Sequence, residues 1–504
     1  MQLAFSSSFL LVALLFAIAQ VEASPVMRSR TVTLPLKRLP QQIGVHPTVL
    51  LQQHINRSHR RHARMVGVGG PSTTELEKRL QKRLNLAKPP KYDKRYNRSG
   101  ARTHLSLISM ETGAKIVTRM GKRSIRAAIG GDNLKATPDQ GFPKAALDAA
   151  NAGDLTKANK PTAPNSIGLD VEQVYYLPAN DVGYIATIQA GTPPRDFSVL
   201  MDSGSADFWI GGEGCQSQSG GDCGNHVFLG QQSSTTFRDS GKVFQVTYGS
   251  GQVQGNIVSD NLNIAGLALV KHVFGVALVE SQDFSGNATK FDGLMGLAQS
   301  TLSNQRVLTP VESLAKQGLI SEAITSYKIS RVSDGLNDGE ITFGGLDQSK
   351  FDPSTLVTFQ NINQNGFWEG DVTVSVDSQD LGLQGRTAIL DTGTTLIIAP
   401  PADADAVHAK IPGTKTDGQG GFVIPCTNTA VVSLTFGGQA FDINPIDLLF
   451  APVDPNNLQG DCLSGITSGQ IGGPQQWLVG DVFLKNAYFS HNVNKNQISL
   501  AKLV

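Results

Sequence analysis

From about Val174 to the C-terminus, short runs of Val, Ile, Thr and Phe recur between clusters of Gly, Asn, Asp and Ser, as in "VGYIATIQAG" and "GEITFGGLD". Apolar and polar positions alternating over five to eight residues, bounded by turn formers, predict strands. The body is therefore expected to be all-β. The chain has 504 residues, 40% apolar and only 17% charged. Single cores stop growing well below that length, so two packed lobes are expected.

Before the strand pattern the chain reads differently. An apolar stretch from Phe9 to Ala19 is too short to cross a bilayer and is followed by Val21-Glu22-Ala23, a small-residue cleavage pattern. Residues 1–23 are read as a signal peptide, which directs the protein to secretion, with an acidic vacuole as the alternative destination. No membrane anchor is expected. Four cysteines form two sequence-local pairs, Cys215 with Cys223 and Cys426 with Cys462, and suit disulfides in an oxidising compartment. Asn287-Ala288-Thr289 is a candidate glycosylation triplet.

The net charge of +1 conceals two opposed halves. Residues 24–123 hold 22 Lys and Arg against 4 Asp and Glu, a net of +18, whereas residues 124–504 hold 21 against 37, a net of −16. A basic arm for nucleic acid would interleave aromatics with its charges, and this one does not. No nucleic-acid partner is expected. The reading that fits is a propeptide over 24–123, attracted to an acidic body and loosened when carboxylates protonate. Dibasic pairs at Lys82-Arg83, Lys94-Arg95 and Lys122-Arg123 leave its processing point open. Residues 124–173, rich in Ala, Asn, Pro and Gly, read as a linker or a second propeptide part.

Two segments of the body are built alike. "FSVLMDSGSADFW" carries Asp202, Ser203, Gly204 and Ser205, and "TAILDTGTTLIIAP" carries Asp391, Thr392, Gly393 and Thr394. Each delivers an Asp at the end of an apolar strand into a tight turn where Gly permits the backbone geometry. A single such motif is weak evidence, but two copies 189 positions apart make a pattern. Two facing carboxylates cannot both stay ionised, so they share a proton, and one then acts as base on a water while the other acts as acid.

These motifs closely resemble the pepsin-like aspartic proteases from about Val174 to Val504. The resemblance implies a bilobal β fold, with lobes at 174–325 and 326–504 and the site between them. Asp202 and Asp391 would be catalytic, Ser203 and Thr392 would brace the two turns, and Ser205 and Thr394 would hydrogen-bond the carboxylates. "VTYGSGQVQG" matches the flap hairpin, with Tyr248, Gly249, Ser250 and Gly251 at its tip and Trp209 as the partner of Tyr248. "FDGLMGLA" with Gly296 and "WLVGDVFL" with Gly480 match the loops beneath the two turns, and "TVTLPLKRLP" resembles a propeptide strand. The first motif departs from the family's usual pattern in carrying Ser203 where Thr is commoner. The resemblance implies cleavage of peptides or proteins between large apolar residues at acidic pH, an inhibitory propeptide, a monomer, and no metal or cofactor.

Other chemistries lack their signatures: no G-x-S-x-G elbow and no H-E-x-x-H occurs. The competing class is a catalytically inactive, pepsin-like peptide-binding or inhibitor protein. Such proteins usually lose an Asp, its Gly or the flap Tyr, and this sequence keeps them all.

Overall fold

The computed structural model describes residues 32–38, 47–65, 72–86 and 183–504, apart from 249–250, 288, 335–337 and 455. The signal segment, residues 124–173, the start of the body before 183, the pairs Lys94-Arg95 and Lys122-Arg123, and the flap residues Gly249 and Ser250 lie outside the described residues.

The basic N-terminal part contributes strand β1 (Val32–Arg38) and helices α1 (Pro47–Met65) and α2 (Thr73–Leu86). The first half of the body contains β2 (Tyr184–Ala190), β3 (Arg195–Asp202), β4 (Phe208–Ser217), β5 (Arg238–Thr247), β6 (Gln252–Ile264), β7 (Leu267–Glu280), β8 (Gly293–Gly296) and α3 (Pro310–Lys316). Thr309 caps α3 through a capping box with Glu312, and Pro310 fits the first helical turn, where no N–H is needed.

Next come β9 (Ile324–Lys328), β10 (Gly339–Phe343) and β11 (Val357–Gln360). The second half continues with β12 (Glu369–Val376), β13 (Gln379–Asp380), β14 (Arg386–Leu390), β15 (Ile397–Ala399), α4 (Pro401–His408), β16 (Lys415–Thr416), β17 (Phe422–Pro425), β18 (Val432–Phe436) and β19 (Gln439–Ile443). It closes with β20 (Leu449–Pro452), β21 (Asp461–Ser464), β22 (Ile466–Ser468), β23 (Gln476–Val479), α5 (Asp481–Leu484), β24 (Ala487–Asn492) and β25 (Gln497–Lys502).

The two halves repeat one pattern. In the first, β3 runs parallel to β8, β8 antiparallel to β4, and β4 parallel to β7. In the second, β14 runs parallel to β23, β23 antiparallel to β15, and β15 parallel to β22. The fold is mostly β, as the strand patterning predicts, and its sheets form the two lobes. The alternation is visible in β6, where Val253, Val258, Leu262 and Ile264 turn inward between more exposed neighbours.

Strand β1 joins the halves. Val32 to Leu36 pair antiparallel with β10, and Lys37 and Arg38 pair with Ile185 and Tyr184 of β2. Its apolar side chains Val32, Leu34 and Leu36 are buried in the main core. Burying each contributes about 1.5–3 kcal/mol before the cost of ordering the chain. Leu50, Leu51 and Ile55 of α1 enter a cluster with Leu396, Phe450, Ala451 and Leu463 of the second half. On α2, Arg83 is buried against the body: its guanidinium bonds Asp417, the carbonyl of Gln419 at 3.1 Å and Gln52 of α1 at 2.5 Å. Burial pulls the Arg83 pKa down while the Asp417 charge opposes that.

Disulfides close Cys215–Cys223 and Cys426–Cys462. No helix among the described residues is long and apolar enough to cross a membrane.

Candidate active site

Strand β3 ends at Asp202, and β14 ends one residue before Asp391. Both carboxylates are buried, and both are held in the same way. Asp202 accepts from the Gly204 N–H at 2.9 Å and the Ser205 hydroxyl at 2.5 Å. Asp391 accepts from the Gly393 N–H at 2.9 Å and the Thr394 hydroxyl at 2.5 Å. Each turn thus folds back on its own Asp, so the carboxylate orientation is set by four consecutive residues.

The turns are also laced together. Ser203 Oγ accepts from the Thr392 N–H at 3.0 Å and donates to the Leu390 carbonyl at 3.2 Å. Thr392 Oγ1 accepts from the Ser203 N–H at 2.9 Å and donates to the Met201 carbonyl at 3.0 Å. Every hydroxyl here uses both its donor and its acceptor capacity across the interface of the two halves. The lacing places Asp202 and Asp391 on adjoining turns.

Beneath each turn a glycine is required by space. A Cβ on Gly296 would lie 2.6 Å from the Ala206 backbone, and one on Gly480 would lie 2.0 Å from the Thr394 carbonyl oxygen. Both close approaches are sealed by backbone bonds, Ala298 N–H to Ser205 at 2.8 Å and Asp481 N–H to Thr394 at 2.8 Å.

The hairpin β5–β6 carries Tyr248 and Gly251 at its end, closed by a 2.6 Å bond from the Tyr248 N–H to the Gly251 carbonyl. A Cβ on Gly251 would lie 2.1 Å from Ser281 Oγ, so Gly is needed there. Trp209 Nε1 donates to Tyr248 Oη at 2.8 Å. Trp209, Tyr248, Phe284, Val253 and Leu294 form one apolar cluster, with Phe284 at 5.5 Å from the Trp209 ring and 5.4 Å from the Tyr248 ring. Asn287 is exposed, and its side chain accepts from the Asn225 N–H at 2.9 Å.

Sequence reasoning assigned no role to three contributors. Asp207 is buried and accepts from the Ser303 hydroxyl, both the backbone and side-chain N–H groups of Asn304, and the Gln305 N–H, at 2.8–3.1 Å. Tyr327 is fully buried, and its pKa is raised well above the usual range, first by burial and then by the charges of Asp202 and Asp391. His491 bonds the Tyr327 hydroxyl at 3.2 Å and stacks on Trp368 at 4.2 Å, and burial pushes its pKa down to about 3. These partners lie 96–98 and 164 residues apart, and no local signal links them. Among the described residues one trio of metal-ligand type converges, Cys215, Cys223 and Glu280, and its two sulfurs are already bonded to each other.

The family model for eukaryotic aspartyl proteases matches residues 183–503. A probable aspartic-type endopeptidase of Arthroderma benhamiae is 36% identical over 346 residues, covering 68% of this chain and 64% of the relative. Rhizopuspepsin-1 of Rhizopus niveus is 33% identical over 384 residues, 73% of this chain and 92% of the relative. A vacuolar aspartic protease of Candida albicans is 31% identical over 329 residues, 63% of this chain and 74% of the relative. The match thus spans somewhat less than two thirds of the first relative and nearly all of the second. With its duplicated Asp turns and a family match across the whole described body, the chain belongs to the eukaryotic aspartyl protease family.

Proposed function

We propose that the protein is an aspartic endopeptidase made as a zymogen, in which Asp202 and Asp391 activate a shared water. The observation that carries this is the pair of buried carboxylates, each oriented by a Gly N–H and a hydroxyl, on turns laced by Ser203 and Thr392. Held side by side, the carboxylates hold one proton between them. The ionised partner takes a proton from water, whose oxygen attacks the peptide carbonyl, while the protonated partner polarises that carbonyl. Collapse of the tetrahedral intermediate passes a proton to the leaving amine and returns the pair to its starting state. The hydroxyl and N–H donors keep both carboxylates aimed throughout, so little reorganisation is needed in the transition state.

The Trp209, Tyr248 and Phe284 cluster supplies an apolar wall, which supports large apolar side chains at the scissile bond. The N-terminal part acts as the inhibitor. Its strand β1 occupies a sheet position between the lobes, α1 covers Leu396 just after the second Asp turn, and Arg83 anchors α2 at Asp417. Such a precursor suits export to an extracellular or vacuolar acidic compartment, where the protein works as a monomer on peptides and denatured proteins.

The test is to hold the full chain at neutral pH, lower it to about pH 3–4, and follow cleavage of a denatured protein beside the Asp202→Asn and Asp391→Asn variants. Acid should release a smaller body with activity that both substitutions abolish. A released, folded wild-type body that cuts nothing across the acidic range would overturn the reading in favour of an inactive peptide-binding protein.

A further inference from the structure

The sequence leaves three Lys-Arg pairs open as processing points, and one of them, Lys82-Arg83, lies among the described residues. It stands inside α2, which continues to Leu86. Lys82 is exposed, whereas its neighbour Arg83 is 1% accessible. An arginine is seldom buried to this extent unless its donors are matched. Here all three guanidinium nitrogens find an acceptor on a different residue. Nε donates to Gln52 Oε1 at 2.5 Å, one terminal nitrogen donates to Asp417, and the other donates to the Gln419 carbonyl at 3.1 Å.

The acceptors are held in place by bonds of their own. Gln52 on α1 spends its amide N–H on Asn56 Oδ1 at 2.7 Å, which turns its carbonyl oxygen toward Arg83. Between β16 and β17, Asp417 Oδ1 accepts from the Gln419 and Gly421 N–H groups at 2.8 and 2.9 Å, leaving Oδ2 for Arg83. The Gly420 carbonyl accepts from the Thr467 hydroxyl at 2.7 Å and the Ser468 N–H at 2.8 Å, so the loop is tied to β22. A Cβ on Gly421 would crowd the Asp417 carboxylate and lie 2.7 and 3.0 Å from the two terminal nitrogens of Arg83. The missing side chain at 421 is what leaves room for the guanidinium.

We infer that Gln52 and the loop 417–421 form a pocket specific for an arginine side chain, whose occupant makes Lys82-Arg83 a docking signal rather than a processing signal. Three acceptors spread around a planar fork match a guanidinium, and a lysine ammonium, a single point of charge, cannot meet all three at once. A peptidase that cuts after Lys-Arg must take that arginine into its own pocket and draw the backbone out of its helix. In the docked precursor both the side chain and the helical backbone are already committed. The residue that such an enzyme needs is the one that keeps α2 on the body, so the bond after Arg83 stays whole until the pocket opens. Only the description of the N-terminal part as removable rests on the zymogen reading; the pocket itself does not.

Brief trypsin treatment of the full chain at neutral pH tests this, in an Asp202→Asn background so that every cut comes from the added enzyme, with mass spectrometry following the bond after residue 83. That bond should be cut on the order of a hundredfold more slowly than in a free peptide of residues 76–90. Asp417→Asn and Gly421→Ala leave the sequence of α2 untouched and should each speed the cut roughly tenfold, with cutting inside the body unchanged. Arg83→Lys, still a trypsin site, should do the same. Asp461→Asn, which removes an exposed ion pair with Lys415 on a neighbouring strand, should change nothing. If the folded chain is cut after Arg83 as fast as the peptide, the masking is overturned. Protection that survives Asp417→Asn and Gly421→Ala at normal thermal midpoints overturns the pocket, and protection retained by Arg83→Lys overturns its preference for arginine. Should a pocket variant unfold and be cut throughout, Arg83→Lys alone decides.

Discussion

The two Asp turns are identical in their internal bonds and opposite in their backing. Five residues after Asp202 stands Asp207, whose carboxylate gathers four N–H and O–H donors from residues 303–305. Five residues after Asp391 stands Leu396, fully buried against Leu50, Leu51 and Ile55 of the N-terminal helix and Phe450 and Leu463 of the body. One turn is fixed by a saturated polar network within its own half. The other is fixed by apolar packing that includes a segment expected to leave. The first turn keeps its polar support whatever the N-terminal part does, whereas the second would lose apolar cover if that part is released as proposed.

Exchanging the two backings should give the largest effects. Leu396→Asp puts a carboxylate among aliphatic side chains with no donor, and at several kcal/mol the chain should fail to fold. A thermal midpoint within a few degrees of wild type would show that the two backings are interchangeable. Asp207→Ala leaves the buried Ser303 hydroxyl and Gln305 N–H without their acceptor, at a cost of roughly 2–4 kcal/mol. Calorimetry should show the first half melting earlier while the second half is unmoved. A uniform shift of both transitions would sink the idea that the network is local to one half.

How much of this was legible follows from range. The paired Asp motifs, the flap and both loop glycines could be read because each lies within a run of a dozen residues, and Gly296 and Gly480 are demanded by a backbone crossing that only Gly permits. The β class was readable from alternation. Asp207 was not, because its donors lie 96–98 residues away and Asp in "SADFW" looks like any turn residue. The helices of the N-terminal part escaped as well. Leu50, Leu51 and Ile55 form a short apolar stripe in a strongly basic background, and only the body they cover shows its purpose.

The halves also differ in how pH acts on them. In the first half, burial raises the Glu280 carboxyl to about 7, the nearby Asp292 charge adding to this and His226 opposing it. His226 is opposed by its own burial, but its contact with Asp292 at 3.6 Å, the Asp292 charge and Glu280 raise it overall. A folded state that keeps these protons while the unfolded chain sheds them loses stability as pH rises, from about 4.5 to 7 for Glu280. In the second half burial lowers His408 to about 4 and His491 to about 3, so stability is lost as pH falls below about 6.5. His272 of the first half, also near 3, behaves like these. Glu280→Gln should therefore stabilise the first half at pH 7 by up to about 3 kcal/mol and do little at pH 4. Melting curves at the two pH values check this, and an equal gain at both would place the effect outside ionisation.

The smallest effects should come from the lacing, where the two turns match most closely and differ by one methyl. Ser203→Ala and Thr392→Ala each remove one donor to the opposite strand's carbonyl and one acceptor for the opposite N–H. Each should cost about 1–3 kcal/mol and lower kcat more than it raises KM, because the carboxylates lose mutual alignment while the apolar wall is untouched. The double variant should cost less than the two singles together, since each hydroxyl serves the other's N–H. Ser203→Thr supplies the missing methyl and keeps both bonds, so kcat should stay within about twofold and stability within about 1 kcal/mol. Additive single costs, or a Ser203→Thr variant as impaired as Ser203→Ala, would show that packing rather than the crossed hydroxyl bonds holds the two aspartates together.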